Sequence, residues 1–276
     1  MIEDKAQISN RIDGIFSGMW TRGYTLSSWA RYPHYSRKRV LLSALERHGV
    51  LQNPGLSVLD YGFGLGHGLF VFGTSCRLHG VDLSADAIEA ATKRAKRRGY
   101  AHFDFKKPPA DDVLRIDYPA DSFDVVICAE VAQHVYDDVR LLRELLRVLK
   151  PGGKCFLVTA SDLDHHNVIA DPKERLNPNF PERSLNVRLY NEETFLWVVR
   201  EVGFKDIEAL TQDSLFELRL RQSRPVQIAM SLALAATPYS AWRWLDLQMQ
   251  RRGHNPARIV VVATKGVKSQ RGSLVQ

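Results

Sequence analysis

The apolar and polar positions divide the chain into a helical start, a long alternation of strands and helices, and a less regular end. Within residues 1–53, Ile8, Ile12, Ile15 and Phe16 recur at helical spacing, and Val40, Leu41, Leu42, Ala44 and Leu45 make a second apolar stripe. Between them Trp20, Tyr24, Trp29, Tyr32 and Tyr35 gather around Gly23 and Pro33. That break predicts either a flap over a ligand or aromatic packing of the helices onto the core. From residue 56 onward, short apolar runs alternate with amphipathic stretches. Strands are predicted near residues 56–59, 77–82, 101–105, 123–130, 154–159, 204–211 and 258–265, the last with features of an edge hairpin. Strands separated by helices in this way predict an α/β fold: a doubly wound, mostly parallel seven-stranded sheet with helices on both faces.

The end of the first strand carries the strongest local signal. Asp60 closes an apolar run, and Gly62, Gly64 and Gly66 follow at every second position. Side chains alternate across an extended chain, so this spacing bares one face of the turn to a ligand. Residues 67–72 are predicted to open a helix whose amides face that ligand. A dinucleotide fingerprint would need a third glycine at position 67, which is His67, and no Gly-Lys-Ser/Thr follows to make a phosphate loop. Asp82 ends the second strand about 20 residues on, where doubly wound folds place a ribose-binding carboxylate. Ser84 then caps a helix.

The D-x-G-x-G-x-G run over residues 60–66 resembles motif I of the class I S-adenosylmethionine (SAM)-dependent methyltransferases. Two further blocks resemble the same family. Ile116 to Asp124 is similar to its "LP-x-x-D-x-S-F-D" run, and residues 123–153 are similar to its "F-D-V-V…E-x-x-x-H-V…L-K-P-G-G" segment. The methyltransferase type 11 and ubiquinone-biosynthesis groups share these motifs, and the resemblance spans roughly residues 55–160. It implies SAM as cofactor and S-adenosylhomocysteine as product, in a Rossmann-like core. Asp60 would face the methionine ammonium, Gly62, Gly64 and Gly66 would make room for the sugar and amino-acid part, and Asp112 would bond the adenine amine, with Asp111 one place off. Leu83, Val113 and Ala129 join the cofactor-binding set. Where the family often has a histidine, this chain has Asn186. The expected organisation is an N-terminal helical cap over 1–53, the SAM-binding core over 54–212, a helical lid insertion over 213–257, and a last strand and tail over 258–276.

Composition narrows this little. The chain has 276 residues, 45% hydrophobic and 25% charged, as an ordinary globular protein does. Cys76, Cys128 and Cys155 are too few and too scattered for a disulfide framework or a zinc site and read as small buried residues. The N-terminus lacks the apolar core of a secretion signal, so a cytoplasmic setting is expected. A net charge of +7 admits nucleic acid, anionic lipid or acidic substrates. The basic runs lack the interleaved aromatics of an RNA-binding module, and the run at 93–98 reads as a solvated helix end. Within the insertion, residues 226–244 read as a lid helix over the substrate, with a peripheral membrane or lipid contact as the competing reading.

Candidate bases for the transfer are His134, just past the fourth strand, and His165 with His166, in the Asp-, Asn- and Pro-rich stretch after the fifth. No metal is expected. The function expected is methyl transfer from SAM to a small molecule, at a hydroxyl oxygen: a secondary metabolite, a sugar or a lipid precursor. The Asn/Asp-Pro-Pro-aromatic run of base amino methyltransferases is absent after the fourth strand, and Cys128 lacks a preceding proline. Nucleic acid is therefore the less favoured acceptor. An RNA methyltransferase and a SAM-binding module without catalysis remain the alternatives. The oligomeric state is not legible.

Overall fold

A computed structural model describes residues 32–64, 66–161, 190–212, 239–252 and 258–267, with the helical positions Ala229 and Ala233. The N-terminal stripe at Ile8 to Phe16, the aromatics Trp20, Tyr24 and Trp29, Asn186, His165 and His166 lie outside the described residues.

Helix α1 spans Tyr32–Arg47, so Tyr32 and Tyr35 belong to a helix and not to the expected break. Pro33 falls in its first turn, where a missing N–H costs nothing. The predicted stripe holds: Val40, Leu41, Ala44 and Leu45 are buried.

Seven strands follow: β1 (Ser57–Tyr61), β2 (Arg77–Val81), β3 (Phe103–Lys106), β4 (Phe123–Ala129), β5 (Leu149–Ala160), β6 (Lys205–Gln212) and β7 (Arg258–Thr264). They form one sheet in the order β3-β2-β1-β4-β5-β7-β6. β1 to β5 run parallel, and β7 is antiparallel to both β5 and β6. With β6 outermost, β7 forms the inner strand of an antiparallel pair at one edge of the sheet, in keeping with the expected edge-hairpin features. It lies inside the sheet, and its residues Arg258 to Ala263 are all buried, as a strand covered on both faces requires. β5 also starts earlier than expected, running back through Pro151-Gly152-Gly153, with a shift in its pairing to β4 between Phe123 and Val125.

Helices α2 (Ala85–Arg98), α3 (Asp138–Val148), α4 (Glu192–Val202) and α5 (Tyr239–Arg251) accompany the strands. The Ser84 hydroxyl accepts from Ala87 N–H at 3.3 Å, the predicted cap. Alternate residues of the central strands feed two cores. Val58, Val125, Ile127, Phe156 and Val260 pack with α1 and α2, while Leu59, Val126, Cys128, Leu157 and Val261 pack with α3 and α4. Burial on both faces at period two is what a doubly wound sheet demands. All three cysteines are buried and free.

Candidate active site

The chain leaves β1 for β2 and β3 on one side, then returns to β4 on the other. Open α/β sheets bind ligands at that reversal, outside the carboxyl ends of the strands. The ends of β1, β2 and β4 meet there, and so does the start of antiparallel β7.

The glycine turn needs its glycines. Gly62, Gly64 and Gly66 all have positive φ, at 75°, 49° and 69°. A Cβ on Gly62 would stand 2.3 Å from Val131 Cγ2, and one on Gly66 would stand 2.6 Å from Phe70 Cε2. The expected helix over 67–72 does not form. A series of turns stands there, with Phe70 N–H reaching Gly66 O at 2.9 Å. Gly66, Gly68 and Gly73 fall within eight residues of one another, and glycine opposes helix propagation.

Asp60 is 3% exposed, and no hydrogen bond from a described residue offsets its burial. Burial, and secondarily the negative charge of Asp82, push its carboxyl well above the ordinary range. Such a group favours a cationic partner. Gly68, which the sequence did not single out, leaves the space beside it: a Cβ there would lie 2.7 Å from Asp60 Oδ2.

Asp82 stands one residue past β2. Its Oδ2 accepts from Gly64 N–H at 2.7 Å and its Oδ1 from Ser84 N–H at 2.9 Å, so it ties the glycine turn to the start of α2. A carboxylate has about four lone-pair sites and can accept from several donors at once. Leu83 follows it, half-buried.

The two neighbouring aspartates separate. Asp111 is 70% exposed and paired with Arg115, whereas Asp112 is 18% exposed and paired with Arg140 of α3. The loop holding Asp112 is pinned from α3: Glu144 accepts from Ile116 N–H at 3.1 Å, and Arg147 donates to Ile116 O and Tyr118 O at 2.7 and 2.9 Å. Buried Tyr61, second in the motif, donates to Val113 O at 2.6 Å and brings that loop against the end of β1. Arg140 and Tyr61 carry no sequence signal of this role, since their partners lie 28 and 52 residues away.

Beyond half-buried Ala129, Glu130 pairs with Arg258, and residues Ala132–His134 form a 3-10 turn whose His134 is half-buried. The structure therefore brings Asp60, Gly62, Gly64, Gly66, Asp82, Leu83, Asp112, Val113, Ala129 and His134 to one end of the sheet. The basic run at 93–98 is not simply solvated. Arg94 lies 4.5 Å over the Phe70 ring, and Arg98 donates to Phe70 O at 2.9 Å.

A family described as "Methyltransferase domain" matches residues 52–195, just over half of the chain. The chain belongs to the class I SAM-dependent methyltransferases. The chain is 30% identical over 158 residues to a phosphoethanolamine N-methyltransferase of Triticum aestivum, covering 56% of this chain and 29% of that one. It is 36% identical over 127 residues to a sterol 24-C-methyltransferase of Aspergillus fumigatus, covering 45% of this chain and 30% of the relative. The alignments thus span about a third or less of either relative's length. Among solved structures, phosphoethanolamine N-methyltransferase 2 of Haemonchus contortus with SAM shares the fold at a TM-score of 0.60 and 24% identity, over 91% of this chain and 60% of that one. The residues present fit the cofactor. A buried carboxylate without a described donor suits an ammonium, and positions 62 and 66 of the turn beside it have no room for a Cβ. Among the described residues there is no cluster that could hold a metal ion, and no helix is long and apolar enough to cross a membrane.

Proposed function

We propose that this methyltransferase acts on a small-molecule acceptor held beyond the carboxyl ends of β4 and β5, at a hydroxyl oxygen. The observation that carries the proposal is the meeting of Asp60, the glycine turn and His134 at the reversal point of the sheet. Bound SAM supplies a methyl group on an already activated leaving group. Asp60 receives the ammonium, Asp82 accepts the ribose hydroxyls, and Asp112 with Val113 takes the adenine edge. Ala129 lines the floor. His134 takes the hydroxyl proton, and much of the remaining rate comes from holding acceptor and donor in line with water excluded. His165 and His166 stay candidates for the same proton on their place after β5.

A second reading, transfer to an amine, is favoured by the name of the Triticum aestivum relative. An RNA acceptor loses support because Arg94 and Arg98 of the densest basic run are engaged with Phe70. Lipid contact through 226–244 keeps support from Trp244, Leu245 and Leu247, which are 59%, 38% and 41% exposed at and beyond its end. A division into cap, core and lid at residues 53, 212 and 257 is likewise proposed.

The test is incubation with methyl-labelled SAM and a panel of hydroxyl and amine acceptors, followed by fractionation and product analysis. Label on oxygen in a small-molecule fraction supports the proposal. Label on nitrogen promotes the amine reading, and label in nuclease-sensitive material overturns the small-molecule one.

A further inference from the structure

Three described non-glycine residues have left-handed backbone: Asp121, Glu130 and Asp206. Aspartate tolerates that region because its short side chain can bond locally, but glutamate lacks this compensation. Glu130, with φ at 60°, is also the one of the three that sits at the candidate site, directly after β4. Strained backbone persists only where its surroundings over-determine it.

Those surroundings can be traced residue by residue. Glu130 N–H donates to Val158 O of β5 at 2.7 Å. Its Oε1 lies 2.7 Å from Nε of Arg258, the first residue of β7 and fully buried. Its Oε2 accepts from Gln133 Nε2 at 3.1 Å, and Gln133 Oε1 in turn accepts from Thr159 Oγ1 of β5 at 3.0 Å. Gln133 and Thr159 are both buried. Glu130 is thereby anchored to the two strands on the far side of β4 from the glycine turn. On the near side, the next residue, Val131, fills the space that Gly62 leaves, since a Cβ at Gly62 would meet Val131 Cγ2 at 2.3 Å. His134 N–H closes onto Val131 O at 2.8 Å, so the same turn also carries the candidate base.

We infer that Glu130 is a positioning residue for the cofactor. Held left-handed by Arg258 and Gln133, it seats Val131 against Gly62 and backs the glycine turn from behind. Removing one partner of a buried ion pair leaves the other charge uncompensated and destabilises the fold, so SAM affinity and melting temperature have to be read separately. The inference rests on the reading that the glycine turn holds SAM.

The experiment measures SAM affinity by calorimetry and melting temperature for wild type, Gly62→Ala, Glu130→Ala, Glu130→Gln, Val131→Ala and the remote core variant Leu145→Ala. Glu130→Ala and Val131→Ala are expected to weaken SAM binding about tenfold. Glu130→Gln keeps an acceptor for Gln133 but leaves Arg258 without its charge partner, so its affinity should fall between wild type and the alanine variant. Leu145→Ala should lose melting temperature with SAM affinity unchanged. Wild-type affinity in Val131→Ala overturns the inference, whether or not Glu130→Ala folds. So does an affinity loss in Leu145→Ala that tracks its instability, or a loss in Glu130→Gln as large as in the alanine variant. Unchanged affinity in Gly62→Ala would instead remove the reading of the glycine turn itself.

Discussion

Gly68 stands against the carboxylate of Asp60. A methyl group at position 68 would lie 2.7 Å from Asp60 Oδ2, with Leu41 Cδ2 and Ile127 Cδ1 at 3.2 and 3.4 Å closing the other sides. Gly68 is not among the positive-φ glycines, so alanine there tests space alone. Gly68→Ala is expected to displace the carboxylate, to cost about 1–3 kcal/mol of stability by overpacking, and to weaken SAM binding about tenfold. Calorimetric affinity equal to wild type would show that the carboxylate's position does not matter to the cofactor.

Asp60→Asn should act in opposite directions on the two states. The folded protein raises this carboxyl above its ordinary value of 3.8, so Asp60 contributes most to stability below that pH. That contribution is lost as pH rises through the folded pKa, because the ionised form is then buried. The asparagine variant should melt higher than wild type at neutral pH without ligand, and its melting temperature should depend less on pH in that window. Its SAM affinity should fall by about 1.5–3 kcal/mol through loss of a charged hydrogen bond. Melting curves across pH with and without SAM check both. An asparagine variant that melts lower without ligand would mean that the carboxylate is stabilised in the protein.

The two loop aspartates should differ sharply. Asp112→Ala is expected to weaken SAM binding by about 1–3 kcal/mol. Asp111→Ala, at an exposed carboxylate, should stay within about 0.5 kcal/mol of wild type. Arg140→Met removes the partner that Asp112 has in α3 and should fall between them. Equal effects at 111 and 112 would remove the adenine-side assignment of Asp112.

For the proton transfer, His134→Ala should lower kcat by about 10²–10⁴-fold while SAM affinity changes little. Single-turnover rates, beside calorimetric SAM affinity, separate a base from a cofactor-side residue. Turnover left intact in His134→Ala ends its candidacy.

Much of the sheet was legible because its signal is local. Short apolar runs and glycine punctuation placed each of the seven strands within a few residues, and the β1 turn stood out by spacing alone. The misplaced elements had non-local causes. β5 reads as starting at Lys154, but its pairing to β4 reaches back to Leu149 opposite Phe123. Residues 67–72 are apolar enough for a helix, yet the left-handed Gly66 and the packing of Phe70 over it leave only turns.

Sequence by itself determined the family, the strand order along the chain, and the positions of Asp60, Gly62, Gly64, Gly66 and Asp82, because backbone conformation and strand ends are written in neighbouring residues. Only the tertiary structure decided which groups meet. Asp112 and not Asp111 turns inward because Arg140 of α3 lies beside it, and Glu130 is held left-handed by Arg258, 128 residues later in the sequence. Charge pairing and close packing act across space, so they become visible only once the chain has closed on itself.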